Sequence, residues 1–123
     1  MAKEIALIGS GNMGGGMLKG IVKAGLVQPS EVIVADAFEA AQQRLAGELG
    51  CTGTCDNIEA VSGAKVVLLA VKPQFLDGAV EGFATSVEKD AVVVSIAAGV
   101  TLAHLESLFP EGTKIVRVMP NLN

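Results

Sequence analysis

Apolar residues fall along the chain in short blocks separated by longer stretches with helical spacing. The blocks at residues 4–8, 32–35, 65–71, 91–95 and 114–118 predict strands, and a weaker one at 51–54 predicts a sixth. Between them, apolar positions recur three or four apart. Met13, Met17, Ile21 and Ala24 share one helical face over 12–24, with Leu18 and Val22 beside it. Leu45 and Leu49 form the inward pair of a helix at 39–49, and a brief helix is expected at 57–61. Leu76, Ala79, Val80 and Phe83 mark a helix starting at Pro73, a residue suited to the first helical position. Thr101 can cap a helix whose inward face is Leu102, Leu105, Leu108 and Phe109.

Residues 65–71 and 91–95 are continuously aliphatic, which predicts burial on both faces and therefore a parallel sheet. Strand–helix alternation throughout predicts an α/β fold, a doubly wound parallel sheet forming a single domain. Right-handed crossovers favour the Rossmann-type strand order 3-2-1-4-5-6.

The first block runs into IALIGSGNMGGG at residues 5–16. Gly9, Gly11 and Gly14 form G-x-G-x-x-G where a strand should become a helix. Gly9 suits the tight turn, Gly11 allows a diphosphate to approach, and Gly14 lets helix and strand lie close. Helix-start N–H groups would then face the phosphates, favoured by the helix dipole. Asp36 ends the second block about 20 positions on, where a carboxylate can accept from a ribose hydroxyl. Such a carboxylate suits NAD and opposes a 2′-phosphate. Ala37 and Phe38 bring no cation, and Arg44 is expected to point elsewhere. Gly15 and Gly16 weaken their helix, which suggests close backbone approach to the sheet or a cofactor.

Ligands of an open parallel sheet bind beyond the carboxyl ends of its strands. Residues 9–14, 36–38, 71–73, 97–99 and 119–121 should all arrive there. Lys72 is the single charge at the end of an apolar run and could donate to a ribose, a phosphate or an acidic substrate. His104 lies off the apolar face of its helix and is expected to be a solvated surface residue. Arg117 falls within the sixth strand. No carboxylate pair or nucleophile–base set stands out, so the residues point to dinucleotide binding and leave the chemical step unassigned.

Composition narrows the choices. The 123 residues fit one domain. A net charge of −4 with no basic run argues against a nucleic-acid partner. No apolar stretch approaches membrane-spanning length, and the first residues do not resemble a signal peptide, so a cytoplasmic protein is expected. Cys51 and Cys55 lack the spacing or neighbouring His of a metal site, so no metal is expected and two packed, reduced thiols are.

Four segments together resemble pyrroline-5-carboxylate reductase: IGSGNMGGGML at 8–18, LLAVKPQ at 68–74, SIAAGVTLAHLE at 95–106 and IVRVMPN at 115–121. The similarity is collinear over nearly the whole chain. It implies reduction of 1-pyrroline-5-carboxylate to L-proline by hydride transfer from NADPH or NADH. It further implies that Gly9, Ser10, Gly11, Asn12, Met13 and Gly14 bind the diphosphate. Ala70, Val71, Lys72 and Pro73, with Ala97, Ala98 and Gly99, would line the nicotinamide side. Met119, Pro120 and Asn121 would approach the ring and substrate. Family members are about twice as long, with a helical C-terminal domain for substrate binding and homodimerisation or higher assembly. The chain is thus expected to be the cofactor-binding domain over residues 1–123, binding cofactor without turnover and without the catalytic residues expected beyond it. Leu122-Asn123 stands where the family commonly has Thr-Pro. Alternatives are a β-hydroxyacid dehydrogenase, a deazaflavin-dependent NADP reductase, or a non-catalytic nucleotide-sensing module.

Overall fold

The structure, a computed structural model, describes residues 3–119. Strand β1 (Lys3–Ile8) leads to helix α1 (Asn12–Lys23), β2 (Val32–Ala35), α2 (Glu39–Leu49) and β3 (Thr52–Thr54). The short α3 (Asn57–Val61) crosses to β4 (Ala64–Leu69). Then come α4 (Pro73–Phe83), β5 (Val92–Ser95), α5 (Leu102–Leu108) and β6 (Lys114–Arg117). The six strands form one sheet in the order β3-β2-β1-β4-β5-β6, and every pairing is parallel. The expected strand order is therefore present. β4 ends at Leu69, two residues before its aliphatic run does.

Two apolar layers sandwich the sheet. On one face, Ile5, Leu7, Val32, Val34 and Leu68 pack with Leu18 of α1 and Leu45 of α2. On the other, Ala6, Ile8, Ile33, Val67, Leu69 and Val93 meet Val61, Leu76, Val80, Phe83, Leu105 and Phe109. Alternate residues of β1 thus face opposite layers, as the pleat requires. Phe83 and Phe109 meet edge to face, with ring centroids 6.3 Å apart.

Three helical faces differ from expectation. α1 buries Gly14, Gly15 and Leu18, with Met13, Met17 and Ile21 half-buried at its margins. Hydropathy gives no weight to Gly14 and Gly15, although their small size lets the helix settle on that side. α2 buries Gln42, Leu45 and Ala46 and leaves Leu49 half-buried. Leu102 is exposed, so α5 faces inward through Leu105 and Phe109.

Candidate functional site

The turn from β1 to α1 needs glycine at two points and leaves a third open. Gly9 has φ +94°, and a Cβ there would stand 2.8 Å from the Ala70 carbonyl oxygen. A Cβ on Gly14 would stand 2.5 Å from the Ala70 Cβ and 3.1 Å from Leu7 Cδ1. These two glycines bring the turn and helix against the ends of β1 and β4. Gly11 is extended, with φ −69° and ψ 178°, and a Cβ there would meet nothing within 4 Å. That open space is what an approaching diphosphate requires. Gly15 N donates to Gly11 O at 2.8 Å, and no side chain caps the helix. The N–H groups of Asn12, Met13 and Gly14 precede that first helical bond and are free for an anion. The turn therefore fits a dinucleotide diphosphate.

Asp36 locks this turn. Its Oδ2 accepts from Ser10 N at 2.9 Å and Ser10 Oγ at 2.7 Å, and its Oδ1 accepts from Phe38 N at 2.9 Å. Burial pushes the carboxyl's pKa up, but the bonds from Phe38 and Ser10 outweigh it and hold the group below its ordinary value. Asp36 is thus a clamp between the end of β2 and the glycine turn. The sequence placed it on the rim but could not show Ser10 as its partner.

The other rim segments also converge. Gly9 N donates to Ala35 O, Ala70 N to Ile8 O, Ile96 N to Leu69 O and Val118 N to Ser95 O, each at 2.8–3.1 Å. Val71, Lys72 and Pro73 follow β4, with Lys72 exposed at the N-cap of α4 and Pro73 at its first turn. Ala97 is buried, Ala98 and Gly99 are exposed, and Gly99 has φ +74°. Met119 is exposed at the end of the described chain, while Pro120 and Asn121, like Leu122 and Asn123, lie outside the described residues.

Two clefts open beside this rim. One, of about 380 Å³, lies between the first turns of α4 and α5 and is lined in part by Pro73, Gln74, Gly99 and Thr101. His104 sits here, exposed as expected, with Nε2 2.8 Å from Asp77 Oδ1 across the helix pair. Thr101 caps α5 by accepting from His104 N at 3.1 Å.

The other cleft, of about 200 Å³, separates α1 from α2. Ser10, Gly11 and Asn12 form one end, Gly15, Gly16 and Lys19 one wall, and Ala41, Arg44, Leu45 and Glu48 the other. This corrects two expectations. Arg44 faces the cleft that begins at the glycine turn. Gly15 approaches α2, not the sheet, since a Cβ there would lie 3.6 Å from Leu45. Glu48 links the walls, with Oε2 2.5 Å from Lys19 Nζ and Oε1 3.4 Å from Arg44 Nε. The Lys19 ammonium, by hydrogen bond and charge, holds the Glu48 carboxyl below its ordinary pKa, with a smaller push from Arg44.

Other polar groups have structural surroundings. Gln42 is buried over Gly53, and its Nε2 reaches Cys55 Sγ at 3.8 Å. Cys51 is half-buried, which raises its thiol pKa, but Cys55 is exposed, so only one of the two thiols packs as expected. Arg117 is exposed on β6, the outermost strand. Among the described residues no group of His, Cys, Asp and Glu could hold a metal, and no helix is long and apolar enough to cross a membrane.

Comparison with known proteins adds to this geometry. The family described as "NADP oxidoreductase coenzyme F420-dependent" matches residues 4–99. The pyrroline-5-carboxylate reductase of Methanosarcina acetivorans is 38% identical over 98% of this chain and 44% of its own length. Pyrroline-5-carboxylate reductase 3 of Danio rerio is 40% identical over 97% of this chain and 41% of its own. The chain thus spans less than half the length of these relatives. The solved pyrroline-5-carboxylate reductase of Coxiella burnetii superposes with a TM-score of 0.89 at 31% identity, over 99% of this chain and 45% of that one. The Plasmodium falciparum pyrroline carboxylate reductase with NADP bound shares the fold, with a TM-score of 0.82 at 21% identity over 97% of this chain and 42% of that one.

Proposed function

We propose, for a chain that belongs to the family described as NADP oxidoreductase coenzyme F420-dependent, that it is the cofactor-binding part of a pyrroline-5-carboxylate reductase. The observation that carries this reading is collinear similarity to such reductases over 96–98% of the chain. The open, uncapped glycine turn supports it independently.

A reduced nicotinamide held at this rim would supply the hydride for reducing the C=N carbon of protonated 1-pyrroline-5-carboxylate to that of L-proline. The protein's part is positioning and charge placement. The Asn12, Met13 and Gly14 N–H groups receive the diphosphate. Ala70, Val71 and Pro73, with Ala97, Ala98 and Gly99, supply a floor of small side chains along which the nicotinamide half extends. Lys72, exposed at the start of α4, offers a donor to a ribose hydroxyl or to the substrate carboxylate. Met119, at the end of the described residues, belongs to the substrate side in this reading, as do Pro120 and Asn121 by the resemblance of the 115–121 segment. The described residues offer no group assigned to protonate the imine nitrogen. We place that group, and the assembly into homodimers or larger homo-oligomers, in the further part that the longer relatives carry. The protein is cytoplasmic in this reading.

Fluorescence titration of the 123-residue chain with NADPH and NADH tests the proposal. Saturable binding is expected, with no proline formed when 1-pyrroline-5-carboxylate is added. Gly11→Val should weaken binding at least tenfold, about 1.4 kcal/mol, with an unchanged melting temperature, because its side chain would fill the space left for the diphosphate. Absence of binding by either nucleotide, or proline formation by the chain alone at a full reductase rate, would refute it. The family description keeps a deazaflavin-dependent reductase as a second reading. A substrate panel with the longer protein separates the two.

A further inference from the structure

Among the described residues two polar ones are buried, Gln42 and Ser95, and Ser95 is wholly so. It closes β5 directly before the Ala97-Ala98-Gly99 turn. Nothing in the proposed mechanism uses its hydroxyl. We infer that Ser95 is a positioning residue, whose hydroxyl fixes that turn in the shape that receives the nicotinamide half of a dinucleotide. This assignment rests on the proposed dinucleotide site.

The main chain of Ser95 is held from both sides. It stands beside Leu69 of β4 and Arg117 of β6, and its carbonyl accepts from Val118 N at 2.8 Å. Strand alternation puts its side chain on the same face as Val93, towards the layer that α4 and α5 cover. Ile96 N still donates to Leu69 O. Ala97 is then the first residue whose N–H the sheet does not take, and Ser95 Oγ accepts from it at 3.3 Å in a buried setting. A hydroxyl accepting from the N–H two residues on is a side-chain device for starting a turn. Thr101 fixes the far end by accepting from His104 N. One hydroxyl at each end thus pins the link, and Ala98 and Gly99 form its exposed tip.

Packing alone does not call for a serine here. Val93 and Leu69 show that the layer accepts aliphatic side chains, and a hydroxyl among them costs stability unless it is bonded. Ala97 is buried too, so without the hydroxyl its N–H has little access to water. The turn would recover a partner only by rotating, which displaces Ala98 and Gly99. A hydroxyl that served the fold alone would affect every ligand equally, through the folded fraction. One that sets the turn affects only the part of a ligand that reaches it.

Calorimetric dissociation constants for NADPH, NADH and ADP, which lacks the nicotinamide half, test this on the native chain and three variants. All are measured below the melting transition of each variant. Ser95→Ala should weaken both dinucleotides about fivefold or more, the worth of one hydrogen bond, and ADP less than about twofold. Ser95→Cys, with sulfur as a weaker acceptor, should show the same pattern at about twofold or more. Val93→Ala, which opens the apolar layer two residues earlier, should lower the melting temperature without changing any of the three affinities by more than about twofold. If the Ser95 variants weaken ADP as much as the dinucleotides, or weaken neither, the assignment fails and the dinucleotide site stands. If the native chain binds none of the three, both fall together.

Discussion

The two halves of the molecule build their strand-to-helix turns in opposite ways. At β1–α1 the main chain does the work. Gly9 and Gly14 admit no side chain, and Asp36 pins the loop through Ser10. At β4–α4 and β5–α5, local helix-starting chemistry does it, with Pro73 in the first turn of one helix and Thr101 capping the other. Gly99 bends the second of these turns with open space around it. Sheet coverage differs in the same direction. β1 is buried on both faces, while β5 buries Val93 and leaves Val92 and Val94 half-covered, and Val116 on β6 is 47% exposed. The first half is closed around a rigid glycine turn. The second presents small residues and a wider cleft.

The largest test of this contrast compares glycines. Gly9→Ala places a Cβ against backbone at positive φ, and should cost about 3 kcal/mol or more from strain and overlap. Gly99→Ala shares the positive φ but has free space, and should cost about 1 kcal/mol. Thermal or urea unfolding measures both, and equal losses would abolish the distinction.

Asp36→Ala comes next. Losing three bonds to a carboxylate should lower stability by about 2 kcal/mol, and the effect should depend on pH. The native pKa lies below the ordinary 3.8. The carboxylate's contribution is therefore complete above that value and is lost as pH falls through the lowered native one. The gap in melting temperature between native chain and variant should narrow between pH 5 and 2.5, windows set about the ordinary carboxyl value. A constant gap would mean that the charge is not its source.

The smallest effects belong to the second half. Thr101→Ala removes the α5 cap and should cost about 1 kcal/mol. Asp77→Asn weakens an exposed pair with His104 and should cost less than about 0.5 kcal/mol. Chemical denaturation of both resolves the order, and a larger loss for Asp77→Asn would show that the pair braces the two helices.

Much of this was legible in the residues because the signals are local. Continuous aliphatic runs marked the parallel strands, and glycine spacing marked the turn. Thr101 marked the start of α5. What escaped depends on contacts between elements distant in sequence. Helical periodicity separates the inward face from the outward one, but does not say which neighbour a flank will meet. Arg44 was therefore set aside, although its flank of α2 meets α1. Gln42 was missed because a polar residue on a buried face breaks the apolar pattern. Gly53, which makes room for it, was the available clue. The cover over Cys55 was overestimated because its short C-x-x-x-C spacing carries no information on exposure.

The Ser10–Asp36 clamp has a thermodynamic consequence for recognition. The loop's conformational freedom is surrendered when the chain folds, not when a nucleotide arrives. Binding then carries little entropy penalty from main-chain ordering, and encounters meet a receptor already in its final shape. Without the clamp, a slackened loop would have to be frozen anew at every association.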